Sequence, residues 1–329
     1  MKIFIKNFLF LSFTIFFFFL VGCSPSTTIT KIYLQDIKIS GPINQTPIHL
    51  TDSSDSKITI SPLISFGNKK SLRGKIDGHT KVNANGFFQI DTVFNDDDTF
   101  YFQESAGANS YQFTGNNLTW NIAEVFTAVD IDFQISKHFA LFGGVNYSLA
   151  IKKGLWGGLF GLGLLSTGKN SGIRVDIGLN IQEIPYEAYT IATVDYTSSS
   201  SSFNYVVDYY DVWKKTHFNP FITLTANTTN PDWIFNIFAQ AGYNSQGLVD
   251  FSPETQIYHN AFYTPNVYIT EDLRGEATAG VINFTPGLFY NVGTTGRVVL
   301  GARLFWITQL ENIDNSFYWM PVVQFNFTL

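Results

Sequence analysis

Seven charged residues sit on one side of alternating segments: Glu124, Asp130, Asp132, Arg174, Asp176, Arg297 and Arg303. Carboxylates and guanidiniums held together in a confined space make paired, charge-assisted hydrogen bonds. Spread along a water-filled lumen, the same residues would select ions. Nucleophilic chemistry is poorly supported. A hydroxyl attacks an ester only with a base beside it, and none of His49, His79, His138, His217 and His259 stands in a His-X-Ser arrangement. His138 and His217 read as hydrogen-bonded rim residues. Asp96, Asp97 and Asp98 offer the oxygen ligands calcium prefers. The glycine and spaced acids of a calcium loop are missing there, so a solvated acidic turn is the preferred reading. No phosphate loop, cysteine pair, metal site or cofactor is read.

The elements that must position the seven charges have a period of two. Ile173, Val175, Ile177, Leu179 and Ile181 alternate with Arg174, Asp176, Asn180 and Gln182. Val298, Leu300, Ala302, Leu304 and Trp306 alternate with Arg297 and Arg303, and Val125 to Ile135 alternate with Glu124, Asp130 and Asp132. Comparable segments start near residues 58, 139, 156, 218, 233, 282 and 319. None of these ten carries a charge on its apolar face. A soluble sheet alternates too, but lipid is the solvent that penalises an outward Lys or Arg, by about 2–4 kcal/mol at the midplane. Each segment has roughly the 9–11 residues a tilted strand needs to cross hydrocarbon. An open edge in lipid would leave backbone groups unpaired, so the sheet must close. The expected fold is all-β: a closed antiparallel transmembrane β-barrel of about ten strands, within eight to twelve.

Connections alternate in length. Short turns fall near 136–137, 168–171, 228–232 and 293–296, and the others at about 67–118, 151–154, 196–204, 247–275 and 311–316. Short periplasmic turns and longer external loops are the expected asymmetry. That parity puts the C-terminus in the periplasm. Phe126, Phe142, Phe238, Phe289 and Phe305 point inward with the charges, and a barrel of this size has little spare lumen. A largely filled interior is expected, with Phe rings over Gly157, Gly161 and Gly163 and an internal ion-pair network rather than an open channel.

The N-terminus carries Lys2 and Lys6 before an apolar run over residues 8–22, which includes four consecutive phenylalanines, Phe16 to Phe19. That is a signal-peptide pattern. It ends in Leu20-Val21-Gly22-Cys23, which resembles the lipobox of bacterial lipoproteins. The resemblance implies acylation of Cys23, the only cysteine in the chain, and Ser24 is compatible with outer-membrane sorting. Phe325-Asn326-Phe327-Thr328-Leu329 resembles the C-terminal signal read by the outer-membrane assembly machinery, with Leu in place of the usual final Phe. The chain as a whole resembles small porin-like and OmpA-like outer-membrane barrels.

The expected organisation is a signal peptide over 1–22, a lipid-anchored tether over 23–56 rich in Ser, Thr, Asp and Pro, and a barrel over 57–329 with 67–118 as a long external excursion. Removing residues 1–22 costs two lysines and no acid, taking the net charge from −6 to −8. That argues against a nucleic-acid partner. The preferred function is a structural or surface-exposed outer-membrane lipoprotein, not an enzyme, with its loops as contact surface and its lipid anchor on the periplasmic side. The partners are outer-membrane lipid and the assembly machinery. The alternatives are a small solute channel, a barrel lipid hydrolase, and a periplasmic β-sheet lipoprotein binding a hydrophobic ligand.

Overall fold

The computed structural model describes residues 26–51, 57–75, 77–84, 90–93, 100–103, 110–113, 117–150, 153–197, 202–230, 232–251, 256–260, 268–308 and 317–329. The strands are β1 (Ser26–Gly41), β2 (Lys57–Phe66), β3 (Lys70–Lys75), β4 (Asp77–Ala84), β5 (Ile90–Val93), β6 (Phe100–Gln103), β7 (Ser110–Phe113), β8 (Asn117–Ile122) and β9 (Val125–Ser136). They continue as β10 (Phe139–Ala150), β11 (Lys153–Thr167), β12 (Ser171–Thr197), β13 (Ser202–Thr228), β14 (Phe235–Phe251), β15 (Gln256–Asn260), β16 (Tyr268–Val292), β17 (Gly296–Thr308) and β18 (Phe317–Thr328).

Ten of these strands form a ring. The order is β11-β10-β9-β2-β18-β17-β16-β14-β13-β12, and β11 pairs β12 to close it. Each neighbouring pair is antiparallel. Closure leaves the ring no free edge, which is the condition for a sheet in hydrocarbon. The ten expected strands are the ten barrel strands.

Polarity is inverted relative to a water-soluble protein. The exposed face carries Phe133, Val145, Phe160, Ile177, Ile222, Ile237 and Leu300, while Asp130, Asp132, Arg174, Asp176, Gln240, Arg303 and Gln324 are buried. A greasy exterior over ten strands is stable where the surrounding solvent is lipid. Among the described residues, no helix is long and apolar enough to cross a membrane; the strands cross it.

One end of the barrel holds the tight connections: Lys137–His138, the stretch from Gly168 to Asn170, and Gly293 to Thr295, with Gly293 at φ 64°. Residues 229–230 and 232–234 lie between β13 and β14 at the same end, and Leu329 donates its N–H to Ile58 O there. At the other end the strands run on past the lipid-facing band. The β12–β13 hairpin stays in unbroken register from Ser171↔Thr228 to Thr197↔Ser202. Much of the expected loop at 196–204 and 247–275 is therefore strand, because β12 stays paired with β13, and β14 with β16, beyond the membrane.

On this outer side β1 pairs antiparallel with the upper part of β12, β8 pairs parallel with β1, and β3 pairs β8. The resulting sheet stands directly on the rim of the barrel: Gly41 O accepts from Ala123 N, Glu124 O from Gly67 N, and Leu149 O from Glu124 N. Its inner face, with Ile37, Ile39, Trp120 and Leu118, is packed into one apolar core with Tyr186, Val249, Ala279 and Ile307. An outer lobe thus caps the barrel, and its apolar core runs on into the barrel interior.

A Leu162→Arg substitution, on the lipid-facing side midway along β11, is expected to destabilise the barrel by about 2–4 kcal/mol, read from urea unfolding in lipid vesicles. An effect below about 0.5 kcal/mol, the size ordinary for a solvent-exposed position, would contradict a lipid-facing wall.

Candidate functional site

Residues 42–51 run through the inside of the barrel and are all buried. They bring to the lumen ten backbone units that no strand pairs, and buried backbone groups must find partners. Amide side chains on the wall supply them, because an amide carries both a donor and an acceptor. Gln246 accepts from Asn44 N (3.2 Å) and donates to Pro42 O (2.9 Å). Gln324 accepts from Ile48 N (3.0 Å) and donates to Ile48 O (2.7 Å). Asn227 accepts from Thr51 N (3.0 Å) and donates to Thr51 O (3.1 Å). Each behaves like one rung of a neighbouring strand. Gln240 donates to Pro47 O and Asn244 to Asn44 O.

Two cations meet this segment differently. Arg303 lies fully within the lumen and donates to Gln45 Oε1 (3.2 Å) and to Thr46 O. Arg174 donates from Nη1 and Nη2 to the two oxygens of Asp132, each at 2.8 Å, and from Nε to Asp176 at 2.6 Å. His49 completes the cluster. Its Nδ1 is 2.9 Å from Asp176 Oδ2 and its Nε2 is 2.7 Å from Asp130 Oδ2. With all three aspartates ionised, only a doubly protonated ring donates in both directions. The cluster then holds three carboxylates against Arg174 and His49, with Phe142 4.9 Å from the imidazole. A buried charge is tolerated when it is paired and hydrogen-bonded, and each member here has such partners.

Of the seven charges expected together, Asp130, Asp132, Arg174 and Asp176 share this cluster. Arg303 instead holds the backbone of the lumen segment. Arg297 lies near the tight-turn end, donates to Asn291 at 3.2 Å and lies over the Phe289 ring. Glu124 is half-buried at the opposite rim. The two lie at opposite ends of the barrel, so neither joins the cluster. Asp96, Asp97 and Asp98 fall outside the described residues, as does Cys23.

The inward phenylalanines are buried as expected: Phe126, Phe142, Phe238, Phe289 and Phe305. Phe142 covers Gly161, where an added Cβ would strike its ring. Gly163 and Gly157 serve other neighbours: a Cβ at 163 would meet the Arg174–Asp176 pair, and one at 157 would meet Asn146. His138 is a rim residue, its ring 3.2 Å from Leu165 O. His217 is buried at the loop end against Tyr186.

His49 is the group that residue-by-residue reading missed. It lay in a stretch read as tether, and nothing in its neighbours marked it as charged-cluster chemistry. The available signal was Ile43, Ile48 and Leu50, three large apolar residues that a solvated tether has no use for.

The direction of the lumen segment corrects another expectation. Ser26 pairs Thr197 at the tip of the β12–β13 hairpin, and Ile39 pairs Tyr186 nearer the rim. The chain then descends from the level of Gln246 to that of Asn227 beside the tight turns. Parity counted from the barrel strands alone put residues 23–56 on the C-terminal side. The N-terminal strand instead begins at the opposite, long-loop end, because the chain crosses the lumen once before β2 starts.

No family model and no curated protein matches this chain. Among solved structures, it is similar to the "TodX monoaromatic hydrocarbon channel deltaS2 mutant", at 5% identity and a TM-score of 0.28, covering 84% of this chain and 90% of that one. It is also similar to OmpT of Vibrio cholerae, at 9% identity and a TM-score of 0.22, covering 85% and 100%. The loop L8 deletion mutant of that protein matches at 7% identity and a TM-score of 0.19, covering 84% and 100%.

Two substitutions test the lumen. Arg174→Met strands Asp132 and Asp176 and is expected to cost about 3–5 kcal/mol in equilibrium unfolding. Gln324→Leu leaves both polar groups of Ile48 unpaired at about 1–3 kcal/mol each. It is expected to accelerate amide exchange across residues 42–51 while β17 and β18 stay protected. Unchanged exchange would contradict the role given to Gln324.

Proposed function

We propose that this chain is an outer-membrane β-barrel lipoprotein that displays its outer lobe at the cell surface and does not conduct in the state described. The observation that carries the reading is the buried segment 42–51, which occupies the lumen along its length and ties Gln240, Gln246, Gln324, Asn227 and Arg303 to one another. Contact with partners falls to the outer lobe, where β12, β13, β14 and β16 extend beyond the lipid band.

Cys23 is read as the acylated first residue of the mature chain. It stands three residues before Ser26, a reach of at most about 11 Å. Since Ser26 lies at the hairpin tip, the N-terminal end of the mature chain belongs to the outer side, and the chain threads its own barrel to reach β2. β18 closes the ring against β2, which suits delivery of the C-terminal strand to the assembly machinery. The channel reading survives in one form. Apart from the cap formed by β1, the lumen segment is held by side chains rather than by a ladder, so its removal leaves a polar-lined path.

In planar bilayers the intact chain is expected to show no steady conductance, and deletion of residues 42–51 to open one. Steady conductance by the intact chain would contradict a sealed barrel. Cys23→Ala is expected to abolish metabolic labelling with palmitate. A tag placed after Ser24 is expected to be reached by antibody on intact cells; a tag reached only after permeabilisation would contradict the outer orientation.

A further inference from the structure

We infer that the wall formed by β9, β10 and β11, with the β1–β8–β3 sheet above it, binds a phosphate-bearing lipid of the outer leaflet: one acyl chain in a wall groove, its phosphate on the cations above. The inference rests on the outer-membrane reading given under Proposed function.

The groove lies on the lipid-facing side of the barrel and has a volume of about 360 Å³. Thr127 and Val129 of β9, Val145 and Tyr147 of β10, and Trp156 of β11 line it. Val145 pairs Gly158, and a Cβ at Gly158 would meet only the Gly144 carbonyl oxygen at 3.4 Å. No side chain therefore crowds Val145 from that side. Trp156 is 68% exposed and Val145 58%, more than most other residues on the outer face. Exposure of that size on an apolar wall is relieved by an acyl chain lying against it.

The cations sit just above. Lys69, Lys70, Arg73 and Lys75 fall within seven residues, and Lys38 is on β1. These are five of twenty basic residues in a chain that carries 26 acids. Arg73 is in register with Thr119 of β8, and Thr119 with Lys38 of β1. They share the outer face of the sheet, whose other face is locked into the lobe core. Lys38, Lys69 and Arg73 are exposed and Lys75 is half-buried. Lys70 is engaged with Phe317 O and the Tyr318 ring. Three acids share the area: Asp36, 3.6 Å from Lys38, Glu187, opposite Lys38 in register, and Glu124 at the rim. Among the described residues the cations exceed them five to three.

Height decides the partner. Lys69 is three residues past Phe66, the last lipid-facing residue of β2, at most about 11 Å away. Aromatic residues at an interface, followed within that distance by cations, place Lys and Arg at headgroup level. Arg and Lys pair well with phosphate, and a soluble anion would have no use for the groove below.

The test uses the full chain in a neutral detergent, with native mass spectrometry reading bound lipid. The probes are diphosphorylated lipid A and the same glycolipid without phosphates. The intact chain is expected to bind the phosphorylated form at least ten-fold more tightly. The triple variant Lys69→Gln, Arg73→Gln, Lys75→Gln is expected to lose that preference. Gly158→Leu, which adds bulk beside Val145 at the groove's edge, is expected to weaken both forms equally. Unboiled gel mobility shows whether each variant is folded. Equal binding of the two forms by the intact chain, or a preference that survives the triple variant, would overturn the inference. Fractionation of cells tests the outer-membrane reading separately, since binding in detergent does not depend on where the chain resides.

Discussion

Hydrocarbon offers no hydrogen bonds, and every other feature of this molecule follows from that. A strand in lipid must give each backbone group a partner in another strand, so the ring closes with β11 on β12. Closure fixes which face is which. The outward face is apolar because lipid is outside, and the polar residues have only the lumen left to occupy. A ten-strand ring is too narrow to leave those polar residues simply wet along its length, so something must satisfy them.

Residues 42–51 meet that need. The segment supplies backbone donors and acceptors to amides and Arg303, and His49 places a third kind of group among Asp130, Asp176 and the Arg174 pair. The interior is therefore held by mutual satisfaction rather than by burial of apolar area alone. Such a network is costly when partly made, which argues that segment and wall fold together. The arrangement also explains the amide content of the inward faces: Gln246, Gln324 and Asn227 each do what an adjacent strand would do, and neither a carboxylate nor a lysine supplies both a donor and an acceptor. At the outer end the logic changes back to that of a water-soluble protein. Trp120, Ile37 and Tyr186 form an apolar core under a polar face, because the solvent there is water.

The barrel was legible because lipid writes its constraint residue by residue. Ile173 to Ile181 against Arg174 and Asp176 states both the strand and its orientation, and nine other segments do the same. Asp130, Asp132, Arg174 and Asp176 could be assigned to the lumen for the same reason. What was not legible depends on long-range placement. His49 is 81 residues from Asp130 and 127 from Asp176, and its own segment has no period to announce a partner. The continuation of β12 and β13 was hidden by the polar and serine-rich run near their tip, where water rather than lipid sets the composition. The side on which the N-terminal strand begins could not follow from counting barrel strands, since the extra crossing through the lumen carries no membrane signature.

The central claim is that residues 42–51 fill the barrel. Thr51 donates to Asn227 at 2.9 Å between side chains, so cysteines at 51 and 227, in a Cys23→Ser background, place two thiols within reach across the lumen. The measurement is disulfide formation in the folded, unboiled barrel under mild oxidant, followed by cleavage at a protease site introduced at 52–56 and separation under denaturing conditions. The account predicts that the N-terminal fragment stays joined to the barrel until reductant is added. A fragment released without reductant, with both thiols open to a bulky reagent in the folded protein, would contradict it.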